Sequence, residues 1–115
     1  GGGVGVQKLG QEPTVEKLVR EAAKRGIPLA AICAAPTLLG RWGLLEGRRA
    51  VCYPGMVGQM NGAVAADSPS HVVVDGPAKL ITGQAAGSAF DFGLALVEYL
   101  AGRERAEEVR ASICY

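Results

Sequence analysis

IPLAAICAAPTLL, residues 27–39, is the stretch that decides the fold. Its first half, Pro28 through Ile32, is a short continuous apolar run, as expected of a strand covered on both faces. The run breaks at Cys33 and resumes as a short helix over residues 36–42 that begins at Pro36, a residue suited to a first helical turn. A strand, a sharp turn and a helix with a thiol at the bend leave two readings open. Cys33 is a small packed hydrophobe, or it stands where a nucleophile elbow projects its reactive side chain out of a sheet.

The flanking segments place this unit in an α/β frame. Ahead of it, Val15, Leu18, Val19 and Ala22 form one apolar helical face, with Pro13 in the first turn and Gly26 just past the end. Residues 1–10 are glycine-rich and read as flexible. Behind it, Gly43 and Gly47 bound a turn, residues 49–53 read as a strand stopped by Pro54-Gly55, and residues 56–69 carry no clear period. Residues 71–74 and 79–82 read as two strands around a tight reversal at Asp75-Gly76-Pro77. Gly87-Ser88 opens a strong helix, with Ser88 as cap and Asp91 three residues on, and with Phe92, Leu96, Val97 and Leu100 at helical spacing. Gly102 ends that helix, and residues 104–110 form a short charged one. Helices alternating with buried strands imply a parallel or mixed sheet with helices on both faces, where ligands sit at strand ends facing helix starts.

Composition removes several classes of function. Twelve Lys and Arg against 11 Asp and Glu leave a formal charge of +1, and the basic residues are interspersed with acidic ones, which argues against nucleic acid or a membrane surface as partner. No apolar run approaches the roughly 18 residues of a membrane span. Three cysteines without regular spacing, and no secretory leader, point to free thiols in a reducing cytoplasm. A single histidine and no Cys-x-x-Cys leave no zinc site within the chain. Gly1 to Gly3 do not make G-x-G-x-x-G between a strand and a helix, so dinucleotide binding is a poor explanation.

The run AAICAAPTLL, the opening GGGVG with Gln7 and Leu9 behind it, the later LITGQAAGSAFDFGLALVEYLAG and the ending GRERAEEV together resemble the ThiJ/PfpI superfamily, specifically its parkinsonism-associated deglycase (DJ-one) branch. The resemblance implies a flavodoxin-like three-layer α/β sandwich, of which residues 1–115 are the C-terminal part of a single domain, without its first strands. It implies a homodimer and a reactive, easily oxidised Cys33. The backbone N–H groups of Gly2 and Ala34 would form an oxyanion hole, and Tyr53, Ala85 and Ala86 would border the pocket. The glutamate that hydrogen-bonds the nucleophile would come from a companion N-terminal segment.

Two departures narrow the expected activity. Ala34 follows the cysteine where the peptidase-like branch has histidine, and Tyr53 stands where some deglycase-branch members have histidine. What the resemblance implies, with the protease branch set aside, is cysteine-dependent detoxification of reactive carbonyls, methylglyoxal or its adducts on protein, with no metal or organic cofactor called for. The alternative is a redox-sensing stress protein or chaperone that uses the same thiol. His71 reads as a strand-edge residue, Cys52 as a packed strand residue or, through its closeness to Tyr53, one at the pocket rim, Trp42 as the cover of the helix after Cys33, and Phe90, Phe92 and Tyr99 as core and interface.

Overall fold

Proline and glycine punctuation divides the chain as expected over much of its length. A computed structural model describes residues 2–66 and 70–115. Gly1 and residues 67–69, at the edges of the glycine-rich opening and the aperiodic segment, lie outside the described residues.

The first departure is at the N-terminal side, where residues read as flexible form helix α1 (Gly2–Gln11). Each glycine costs a helix about 0.5–1 kcal/mol relative to alanine, so packing must supply what propensity lacks. Val6 is buried in the core, and one turn on, a Cβ at Gly10 would lie 2.8 Å from Leu38 Cδ2. Glycine at position 10 is what lets α1 approach the helix that follows Cys33.

Helix α2 (Pro13–Lys24) carries Pro13 in its first turn. It closes with Gly26 N–H donating to Ala23 O and Ile27 N–H to Ala22 O, Gly26 having a φ of +70°. Val15 and Val19 pack on the core as expected, but Leu18 is 64% exposed at the margin of the stripe.

Strand β1 (Leu29–Ile32) pairs in parallel with β5 (Leu80–Gly83), and β4 (Val72–Asp75) pairs antiparallel with β5, giving the order β1-β5-β4. Register runs from Leu29 opposite Leu80 to Ile32 opposite Gly83. β5 is buried along its whole length, whereas β1 is only part-buried and exposes Ala30, so the expectation of full cover holds for β5 and not for β1. Among the described residues, the second edge of β1 carries no strand. The β4–β5 reversal is held by Asp75, whose Oδ1 accepts from Ala78 N–H at 3.3 Å and whose Oδ2 accepts from Arg49 N–H at 2.8 Å.

The strand read over residues 49–53 shrinks to β2 (Arg49–Ala50), paired in parallel with β3 (Val64–Ala65). The reason lies in where its amides go: Val51 N–H donates to Thr82 Oγ1 at 3.0 Å and Tyr53 N–H to Cys33 O at 2.8 Å. Beyond Ala50 the segment is tied to the sheet by single bonds instead of a ladder. A 3-10 helix (Pro54–Gln59) follows.

Helix α3 (Pro36–Arg41) is buried over most of its length, and Trp42 behind it joins Leu38, Leu39, Leu45, Cys52 and Leu80 in the main core. Helix α4 (Ala89–Ala101) follows a short 3-10 turn. The expected Ser88 cap is not made: no side-chain bond caps α4, and the Ser88 hydroxyl lies 3.3 Å from His71 Nδ1 instead. Gly102 separates α4 from α5 (Arg103–Ser112), which is longer than its charge pattern suggested. Phe92 and Tyr99 are half-buried, whereas Phe90 is exposed and meets Tyr115 edge-on at 5.3 Å.

Candidate active site around Cys33

Main-chain bonds fix the bend at Cys33 on both sides. Its N–H donates to Gly83 O at 3.0 Å, and its carbonyl accepts from Tyr53 N–H at 2.8 Å. Between these anchors the residue takes a φ of +64°, the left-handed region that costs an L-residue about 1–2 kcal/mol. Such strain in a non-glycine residue persists only where the surroundings impose it, and it concentrates at functional sites. Here the strand below and helix α3 above impose it.

The Cys33 side chain borders a cavity of about 230 Å³ lined by Gly3, Cys33, Ala34, Tyr53 and Met56. Gly3 belongs to the first turn of α1, where amide N–H groups have no partner inside the helix and carry the positive end of its dipole. Ala34 is buried, and its N–H makes no hydrogen bond with another described residue. Its carbonyl is taken up by the Thr37 hydroxyl, which donates at 2.6 Å. Cys33, Ala34 with its unengaged amide and the start of a helix thus border one small apolar hollow. Wider hollows exist elsewhere, such as one of about 450 Å³ lined by Gly5, Lys8, Leu9, Gln11 and Glu12, but that one holds no cysteine.

Of the residues expected at the site, Cys33, Ala34 and Tyr53 come together, and Gly2 opens α1 next to the lining residue Gly3. Ala85 and Ala86 are not among the lining residues. They lie at the 3-10 turn before α4, on the loop that follows β5, whose last residue, Gly83, accepts from the Cys33 amide. Gly3 and Met56 were not singled out from the sequence. The glycine content of residues 1–10, which reads as flexible, conceals Gly3. Met56 was hidden in an aperiodic stretch, although Pro54 could have signalled the helical turn that presents it.

Family membership follows from the whole pattern. The sequence signature described as the DJ-1/PfpI family matches residues 1–99. The chain belongs to the DJ-1/PfpI family. Protein DJ-1 homolog B of Arabidopsis thaliana is 41% identical over 110 residues, covering 95% of this chain and 24% of that protein. The glutathione-independent glyoxalase DJR-1.2 of Caenorhabditis elegans is 31% identical over 113 residues, covering 98% of this chain and 59% of that protein. The crystal structure of Drosophila melanogaster DJ-1beta superposes with a TM-score of 0.87 at 36% identity, covering 99% of this chain and 60% of that one. The chain therefore spans no more than about three-fifths of these relatives, and its fold is the flavodoxin-like α/β type of the family.

Other chemistry-bearing residues of this DJ-1/PfpI chain lie outside the cavity. Cys52 is fully buried, donates its S–H to Tyr53 O at 3.3 Å, and has its thiol pushed up from the ordinary value by burial, with the neighbouring Cys33 charge adding to the effect. His71 is exposed and engaged with Ser88. Among the described residues no cluster of His, Cys, Asp or Glu could hold a metal ion, no carboxylate lines the Cys33 cavity, and no helix is long and apolar enough to cross a membrane.

Proposed function

We propose that this chain carries the nucleophilic half of a cysteine-dependent enzyme that detoxifies small reactive carbonyls, of the glyoxalase or protein deglycase type. The observation that supports this reading most directly is the strained Cys33 elbow, at a cavity that Cys33 lines together with Gly3 of α1's first turn and Ala34, whose amide is unbonded among the described residues. Cys33 sulfur attacks the aldehyde carbon of methylglyoxal, the C=O π bond breaks, and the oxygen takes the negative charge. The amides of Ala34 and of the α1 start, Gly2 with Gly3, face that oxygen. Transfer of a proton from the former aldehyde carbon to its neighbour converts the hemithioacetal to a thioester, and water releases lactate and regenerates the thiol.

No carboxylate of the described residues lines the cavity, so a glutamate from a companion segment moves the protons. That segment covers β1's open edge, and residues 1–115 form the C-terminal part of one domain. A homodimer in the cytoplasm, acting on free aldehyde or on glycated protein, completes the proposal. The named glyoxalase among the relatives supports the reaction class.

The test is conversion of methylglyoxal to lactate by the chain together with its companion segment. Wild type turns over and Cys33→Ser does not. Equal, slow consumption by both removes the enzyme reading and leaves a redox-sensing role for the thiol.

A further inference from the structure

The second thiol beside the elbow has no role in carbonyl chemistry. Tyr53 N–H bonds Cys33 O at 2.8 Å, which places the Cα atoms of Cys33 and Cys52 roughly 5–7 Å apart on standard main-chain dimensions. That lies in the range of about 4.4–6.8 Å that a disulfide spans. The two thiols differ in setting: Cys33 is part-exposed at the cavity, whereas Cys52 is sealed in the core and donates to a main-chain carbonyl. One thiol can meet a small oxidant and the other is shielded from it.

We propose that Cys52 is the resolving thiol for Cys33, so that oxidation by a hydroperoxide ends in an intramolecular Cys33–Cys52 disulfide. Cys33 sulfur attacks one peroxide oxygen and the O–O bond breaks. Its electron pair leaves on the other oxygen, which takes up a proton as an alcohol or as water. The product on Cys33 is a sulfenic acid. Cys52, giving up its proton, then attacks the Cys33 sulfur; the S–S bond forms, the S–O bond breaks, and the departing hydroxide combines with that proton as water. Two thiols have lost two electrons to one peroxide. Burial keeps Cys52 protonated and thus a slow nucleophile, so low peroxide gives the disulfide and excess peroxide outruns it to sulfinate. The inference rests on the reading of Cys33 as a reactive thiol, and it assigns that site a reversible protected state.

The experiment uses the chain with Cys114→Ser, which removes the exposed third thiol. It is treated with stoichiometric hydrogen peroxide, alkylated and digested with trypsin. The expected product is lighter by two hydrogens, joins the peptides spanning residues 26–41 and 50–79, and reverts with dithiothreitol. With Cys52→Ala added, the same single equivalent leaves Cys33 as a sulfenic acid, and a second equivalent carries it on to irreversible sulfinate. Sulfenate or sulfinate on Cys33 with Cys52 present and no joined peptide overturns the inference and leaves the reactive-thiol reading standing. Cys33 persisting as a thiol overturns both. The joined peptide is read in a protein that keeps Cys52, so a folding defect in the alanine variant does not decide the outcome.

Discussion

Replacing Cys33 by glycine should stabilise the fold relative to Cys33→Ala, although both remove the sulfur. The residue sits at a φ of +64°, where a Cβ costs about 1–2 kcal/mol and glycine sits without strain. Against that, glycine loses about 0.5–1 kcal/mol more conformational freedom on folding. The difference leaves about 0–1.5 kcal/mol in favour of glycine, centred on about 0.8 kcal/mol, or about 2–5 °C in Tm at that centre for a chain of this length. Urea denaturation of the two variants measures it, with the same exchange at Ala31 as control. Ala31 lies in the interior of β1, paired with Thr82, so Ala31→Gly should destabilise by about 0.5–1 kcal/mol. If Cys33→Gly is no more stable than Cys33→Ala while the control behaves, the elbow is not strained and the main argument for a functional bend at Cys33 is lost.

The remaining predictions address the elements that hold the elbow. A Cβ at Gly40 would lie 2.7 Å from Asn61 N and 2.8 Å from Met60 Cα; because these are backbone atoms that cannot swing aside, Gly40→Ala should cost about 1–3 kcal/mol, and an unchanged denaturation midpoint would contradict the packing of α3 described above. Leu45→Ala, at a fully buried position, should cost about 2–5 kcal/mol in the same assay. The Arg49 and Ala78 amides hold the Asp75 carboxyl below its usual range, so its contribution to stability is present above the unfolded carboxylate pKa of about 3.9 and is lost as pH falls through the lower folded value. Wild type should accordingly exceed Asp75→Asn in Tm near neutral pH, with the gap closing on acidification; a gap that stays constant with pH would show that the charge is not involved. Iodoacetamide should modify Cys33 much faster than Cys52, whose thiol is buried and pushed up, as peptide mapping can show; equal rates would remove the distinction between the two thiols.

What could be read in advance depended on how far along the chain each cause acts. Pro13 and Gly26 bounding α2, Pro36 opening α3, the Asp75 reversal and Gly102 ending α4 are effects of backbone chemistry within a few residues, and all are in place. The departures have distant causes. Helix α1 forms against its glycine content because Val6 and Gly10 dock near Leu38. The strand after Arg49 ends early because Val51 bonds a side chain 31 residues away. Ser88 leaves its helix end uncapped because its hydroxyl lies against His71, 17 residues earlier.

The same division governs the candidate site. The elbow is local, so Cys33 and Ala34 were legible from one strand-turn-helix stretch, whereas the cavity wall is not. Gly3 reaches it only because α1 docks on the core, and Met56 only because a 3-10 turn begins at Pro54. Cys52 owes its place beside Cys33 to a single bond between Tyr53 N–H and Cys33 O. The apolar run at residues 50–53 predicts a packed strand thiol at 52; the packing is observed, although Cys52 lies beyond β2, and the run says nothing about which segment lies opposite. One main-chain contact between distant segments, Tyr53 N–H to Cys33 O, brings a residue that is structural by pattern beside the nucleophile while also holding the strained turn. Weakening that segment's docking should disturb the nucleophile and its neighbouring thiol together, because one main-chain bond serves both.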